Sequence, residues 1–368
     1  MERVGGLEVD RSISNRRAST RQVGSVATVS KFPYSVQFLD LASYSVDVMN
    51  IERSNALTFH TQHVSTFTPT SMMFLAETCR HRSRIFSEEK ISYIGLRRHS
   101  YANNLGFSEA LNLKGNPFPQ GAFGGKNYFP LSRLERGDLE NLVSKSGIEI
   151  GDAIQEKCNE IAHVVSQRKS PALEKVLADS FREIFRNVFE HACVDRAAFC
   201  AQYWPSRDLV EICISDRGVG FSKSLSNDSD FSGLSDREAL MFSIMPGVSG
   251  KARKHKKKKS HQKSVWDNSG FGLYFASQLA GKFGWFGVAS GKHAIFVENG
   301  GKLRHTPANI EGSIVSIRLK LNSVEVLEQE IYQIGKKAAK VKQTIGVRNL
   351  TPRSVESFLA HEWVSDRD

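Results

Sequence analysis

The chain has 368 residues, enough for two ordinary domains, and its 40% hydrophobic and 24% charged content excludes a disordered or membranous polypeptide. No apolar run reaches the ~18 residues that a membrane span needs. The net charge is +11, but Lys251–Lys263 (KARKHKKKKSHQK) holds eight Lys and Arg and no acid; without it the balance is +3, so the basic character is local.

Residues 1–30 are polar, rich in Ser and Arg, and lack periodicity, which predicts a flexible arm. They contain no apolar core of a signal peptide, so a cytoplasmic location without membrane association is expected. The five cysteines form no CxxC pair, which argues against a disulfide framework or a zinc site. From Phe32 onward the patterning becomes regular. A helix is expected over Tyr34–Val48 and a strand over Asn55–His60. A helix starts at Pro69, with Met72, Met73, Leu75, Ala76 and Cys79 on its apolar face. Ile91–Leu96 reads as a strand and Tyr101–Leu105 as a short helix. Alternating strands and helices define a small α/β domain over residues 31–113. Residues 114–133, with Gly-rich clusters and prolines, are expected to be a linker. A second domain follows over 134–322, then a helical tail over 323–368. The tail holds a basic stretch, Glu325–Lys342, and a capped helix from Thr351.

Three segments of the second domain carry chemistry. The first is Phe181–Ala192 (FREIFRNVFEHA). At 100° per residue, Phe181, Ile184, Phe185, Val188, Phe189 and Ala192 share one side, while Glu183, Asn187 and Glu190 gather on the other. That polar side is either a solvated face or a Mg²⁺–phosphate site, in which Asn supplies a neutral oxygen and a carboxylate one turn away handles a water. The second is Leu209–Ser215, a strand running into Asp216-Arg217-Gly218-Val219-Gly220. This is either a tight turn or a ligand loop whose Asp216 accepts a hydrogen bond from an exocyclic amine such as adenine's. The third is Gly270-Phe271-Gly272-Leu273 at the start of a helix, where backbone amides suit phosphate. A single GxG is weak; the ordered combination of the three is far more specific.

Together, ExxxNxxEH at 183–191, DRGVG at 216–220 and GFGL at 270–273 resemble the N box and the two glycine boxes of the GHKL superfamily. That group comprises gyrase, MutL, sensor histidine kinases and anti-sigma-factor kinases. Gly312–Ile317 resembles the closing strand of that fold, with Ser313 in place of the usual Thr. The resemblance covers residues ~150–322. It implies an α/β fold, an α+β sandwich with a mixed, mostly antiparallel sheet, helices on one face, and ATP between the helix layer and a lid. It also implies that Asn187 coordinates Mg²⁺, that Asp216 holds the adenine amino group with Ser313 in the same network, and that Gly218, Gly220, Gly270, Gly272 and Leu273 line the nucleotide. Glu183 stands where hydrolysing members keep their general base and where sensor histidine kinases usually have no acid. An ATPase that couples nucleotide state to a protein partner is therefore expected. The alternatives are a Ser/Thr kinase of the anti-sigma-factor type and a nucleotide-gated binding module without catalysis.

The lid would span the glycine boxes, with a helical stretch at Ser235–Met245 and its basic part at 246–268. Lys251–Lys263 would reach the γ-phosphate, contact nucleic acid, or stay solvated; with only Trp266 beside it, base stacking is not favoured. A homodimer is compatible with the sequence. The N-terminal α/β region resembles, more loosely, a STAS-like domain, which implies a regulatory interaction. In it Val64–Met73 occupies the strand-to-helix turn, where Thr70 and Ser71 are candidates either for phosphorylation or for helix capping.

Overall fold

A computed structural model describes residues 21–23, 27–113, 125–192, 194–248, 271–298, 303–321, 324–344 and 350–364. The N-terminal unit is built on a four-stranded sheet in the order β1 (Arg21–Val23), β2 (Ala27–Lys31), β3 (Ala56–His60), β4 (Lys90–Ile94). The first pair is antiparallel; β2, β3 and β4 run parallel. Parallel neighbours need crossovers, supplied by α1 (Phe38–Asn50) and α2 (Pro69–Ile85). Helix α2 starts where Pro is tolerated and caps are favoured. Thr68 accepts from the Ser71 N–H, Ser71 accepts in return from the Thr68 N–H, and Pro69 sits in the first turn. Two short helices, α3 (Ser100–Asn104) and α4 (Phe107–Ala110), complete the unit. The expected arm over 1–30 is corrected where β1 and β2 lie. Residues 27–31 form β2, whose Ser/Thr/Lys-rich sequence hid a strand that hydrogen-bonds to β3 from Thr28 to Lys31.

The second sheet has the order β5 (Tyr128–Glu135), β6 (Arg196–Trp204), β7 (Leu209–Asp216), β9 (Arg304–Lys320), β8 (Gly284–Glu298). Every pairing in it is antiparallel, where a mixed sheet was expected. Strand β5 also claims residues 128–133 of the expected linker, because Tyr128 and Phe129 already pair with Gln202 and Ala201. One face of this sheet carries α5 (Arg136–Ser146), α6 (Ile150–Ser166), α7 (Pro171–His191) and α10 (Gly272–Phe283). Between β7 and α10 lie α8 (Gly220–Leu225) and α9 (Asp236–Ser243). The tail is not a free appendage. Leu327, Ile331, Ile334 and Ala338 of α11 (Val324–Thr344) and Val355 and Leu359 of α12 (Pro352–Val364) are buried in the same core.

The other face of the second sheet is covered by the N-terminal unit. Helix α1 lies on β8 and β9, and α2 lies on β6, β7 and β9. Helices were expected on one face only. The finding follows from the side chains that point this way: Cys200, Cys213, Ala289, Ala294, Ala308 and Ile314 join the N-terminal core, and most are small enough for a helix to approach closely. At Gly287 the fit is complete, since an added Cβ would meet the Phe38 ring at 2.5 Å. The two units therefore stack in layers: sheet, helices, sheet, helices. Cys79, Cys158, Cys200 and Cys213 are buried and free. Among the described residues no helix is long and apolar enough to cross a membrane.

Candidate functional site

The site forms where the C-terminal end of β7 meets α7, α8 and the start of α10. Helix α7 begins at Ser170, whose side chain accepts from the Leu173 N–H, followed by Pro171 in the first turn. Its apolar stripe, including Phe181, Ile184, Phe185 and Val188, is buried against the sheet and its neighbours. Phe185 meets Phe199 of β6 edge-on at 5.8 Å. Burying that stripe fixes the rotation of the helix and leaves Glu183 and Asn187 half-buried on its polar side.

Period two does the same on β7. Ile212, Ile214 and Asp216 point toward the helix layer; Glu211, Cys213 and Ser215 point toward α2. Asp216 is thus the last inward side chain of the strand. Its Oδ1 accepts from the Gly218 N–H at 2.7 Å and its Oδ2 accepts from the Ser313 hydroxyl across the β7–β9 pair. Burial pushes the carboxyl up to about 6; the bonds from Ser313 and Gly218 oppose this, and the nearby Glu77 charge adds to it.

Asn187, Asp216, Gly220, Leu273 and Ser313 line one cavity, together with the apolar walls Ile184, Val188, Ile214, Phe221 and Val315. Counted with its mouth to solvent, the cavity holds about 450 Å³. Of the remaining expected residues, Gly218 and Gly272 shape the walls from behind. An added Cβ on Gly218 would meet the Ala192 carbonyl oxygen at 2.2 Å, so the turn sits directly on the end of α7. An added Cβ on Gly272 would meet the Glu183 Cβ at 2.4 Å, so α10 starts in contact with α7. Glu183 itself is one turn away from Asn187, beside the α10 N-terminus, and does not line the cavity. It faces Arg186 at 3.6 Å. Gly270 and the basic run Lys251–Lys263 lie outside the described residues.

Two contacts escaped the sequence reading. Ser290 of β8 donates to the Gly312 carbonyl at 2.6 Å and accepts from the Phe221 N–H at 3.2 Å, tying the closing strand to the turn after Asp216. Arg217 donates to Glu77 of α2 at 2.7 Å, tying the same turn to the N-terminal unit. Neither partner carries a local motif. The phosphoacceptor reading of Thr70 and Ser71 does not fit their surroundings. Both are essentially fully buried at the start of α2; Ser71 belongs to the cap, and the Thr70 N–H donates to Glu211.

No family profile, curated protein or solved structure matches the chain.

Proposed function

We propose that the second unit binds Mg·ATP in the manner of the GHKL superfamily, hydrolyses it, and couples nucleotide state to a protein partner. The observation that carries this reading is the buried Asp216 carboxylate, placed in a cavity that Asn187, Gly220, Leu273 and Ser313 also line. An ionisable group held out of water at the end of a strand costs stability, and its retention there points to a ligand that needs it. Above pH 6 the carboxylate accepts a hydrogen bond from the adenine amino group while Ser313 and Gly218 keep it oriented. Ile184, Val188, Ile214 and Val315 supply apolar contact for the base. Phe221, the half-buried residue after Gly220, completes that apolar wall.

The chemistry belongs to α7 and the start of α10. Asn187 offers a neutral oxygen on a half-buried helix face, a donor suited to a hard cation, and among the described residues no group of three or more His, Cys, Asp or Glu offers a rival metal site. A bound Mg²⁺ supplies neutralisation of phosphate charge and polarises the terminal phosphoryl group. The backbone amides that open α10 take the phosphate oxygens. Glu183, beside them and one turn from Asn187, orients and deprotonates the attacking water.

Titration calorimetry with a non-hydrolysable Mg·ATP analogue tests the pocket. The parent chain binds and Asp216→Asn does not; equal affinity of the two refutes the assignment. Glu183→Ala keeps binding and stops phosphate release, whereas release at the parent rate removes Glu183 from the mechanism. Burial of Thr70 and Ser71 disfavours phosphotransfer to the chain's own N-terminal unit. Label from γ-³²P ATP is therefore expected as free phosphate; label retained on protein would instead favour the kinase reading.

A further inference from the structure

Helix α2 belongs to the N-terminal unit, yet one of its stripes is occupied by contacts with the two strands that make the pocket. Thr70, Met73, Glu77, His81 and Arg84 recur every three or four residues and so share a face. The Thr70 N–H donates to the buried Glu211 of β7 at 2.9 Å. The Ser215 hydroxyl, one residue before Asp216, lies 3.0 Å from the Met73 sulfur. Glu77, 5% exposed, accepts from Arg217 Nε at 2.7 Å and from Arg80 Nη1 at 2.9 Å. Further along, Arg84 Nε lies 3.0 Å and His81 Nδ1 3.6 Å from the carboxylate of Glu311.

The positions of the partners matter more than their number. Arg217 stands between Asp216 and Gly218, the residue whose N–H holds Asp216. Glu311 stands just before Gly312-Ser313, the residues of β9 that meet Asp216. The end of β7 and the middle of β9 also touch through backbone. Gly312 has φ +72°, and a Cβ there would lie 2.3 Å from the Asp216 carbonyl oxygen and 2.6 Å from Arg217 Cα. On the far side, Val219 N–H donates to the Ala192 carbonyl at the end of α7. The Asp216 turn is therefore clamped between α7, which carries Asn187, and α2, which carries Glu77. It cannot shift toward a ligand without moving one of them.

We propose that Glu77 and Arg217 are positioning residues for the nucleotide, and that through this pair α2 makes the N-terminal unit the regulatory input of the ATP pocket. The inference rests on the nucleotide reading above. It requires reciprocity: whatever the N-terminal unit does to nucleotide affinity, bound nucleotide does to the N-terminal unit. Glu77 also acts on Asp216 through space, its charge adding to the upward push on that carboxyl.

The test is a mutant cycle on the full chain, with calorimetry of the non-hydrolysable Mg·ATP analogue and thermal melting of each variant. Glu77→Gln and Arg217→Met each weaken binding by about tenfold, and the double variant is no weaker than either single one, because both break one link. Arg217→Lys, which keeps the charge against Glu77, restores most of the affinity. Hydrogen exchange gives a readout that a purely structural role would not move. Nucleotide slows exchange of the α2 amides in the parent chain, and this response is lost in Glu77→Gln. Parent-like affinity and an unchanged exchange response in Glu77→Gln overturn the inference while leaving the pocket intact. Failure of the parent chain to bind the analogue removes the nucleotide reading itself and this inference with it. If Glu77→Gln unfolds, Arg217→Met decides the question, since the 43% exposed Arg217 side chain can be truncated without opening a cavity.

Discussion

The two faces of the second sheet are built on different principles. Toward α7 and α10 the strands present Ile212, Ile214, Phe286, Val288, Val315 and Ile317, and the helices answer with Phe181, Phe185, Leu273 and Phe275. Toward α1 and α2 they present Cys200, Cys213, Ala289, Ala294 and Ala308, flanked by charged contacts at Glu211, Arg217 and Glu311. Bulky apolar packing gives the first face its stability and leaves its cavity at one end. Small residues let the second face seat its helices close to the backbone, with the charged contacts beside them. The same sheet thus carries a bulky apolar core on one side and closely seated helices with charged contacts on the other.

Truncation on the bulky face should have the largest effect. Phe185 is fully buried and meets Phe199 edge-on, so Phe185→Ala loses apolar burial and leaves a cavity, costing about 3–5 kcal/mol in urea unfolding. A loss below about 1 kcal/mol would mean that α7 is not anchored as described. The seam between the faces behaves in the opposite sense. The Asp216 carboxyl is raised in the folded state, from 3.8 to about 6. A raised carboxyl favours folding fully below the unfolded value, and that contribution is lost as pH rises through the folded value. Asparagine does not titrate. The stability of Asp216→Asn relative to the parent should therefore improve by about 2.4 kcal/mol between pH 4 and pH 8. A flat difference across that range would show that the carboxyl is not desolvated. A variant that gains stability at pH 8 while losing nucleotide would tie the cost of burying Asp216 to its use.

How much of this could be read from the sequence depended on where the determinants lie. Helix α2 was legible because Thr68-Pro69-Thr70-Ser71 is a local start signal, and α7 because its apolar residues keep a strict period. Asn187, Asp216, Gly220, Leu273 and Ser313, which the fold gathers around one cavity, were legible because each sits in a short sequence motif. Strand β8 was not. It is buried on both faces, so Trp285-Phe286-Gly287-Val288-Ala289 shows no polar alternation to mark it as a strand. Strand β2 was hidden for the opposite reason, its polar Thr28, Ser30 and Lys31 resembling the arm before it. The docking of α1 and α2 depends on contacts such as Glu77 with Arg217, which are 140 residues apart in the chain, and nothing local announces them.

The docked face offers the smallest of these effects and the sharpest check on the comparison. Gly287 is the fourth residue of β8, where an ordinary strand would carry a side chain. Its neighbour across the interface is the Phe38 ring, with three ring carbons within 2.6 Å of where a Cβ would stand. Phe38 has no empty space to move into, being packed on Phe74 at 5.2 Å and on Phe296 at 5.9 Å. Gly287→Ala should therefore overpack the interface and cost about 1–3 kcal/mol, partly offset by the lower flexibility of alanine in the unfolded chain. Pairing it with Phe38→Leu separates the causes. The smaller side chain makes room for the methyl, so the double variant should lose less than the sum of the two single variants. Strict additivity would mean that α1 does not rest on β8 at this point. The N-terminal unit would then be held to the second sheet by its charged contacts rather than by close packing.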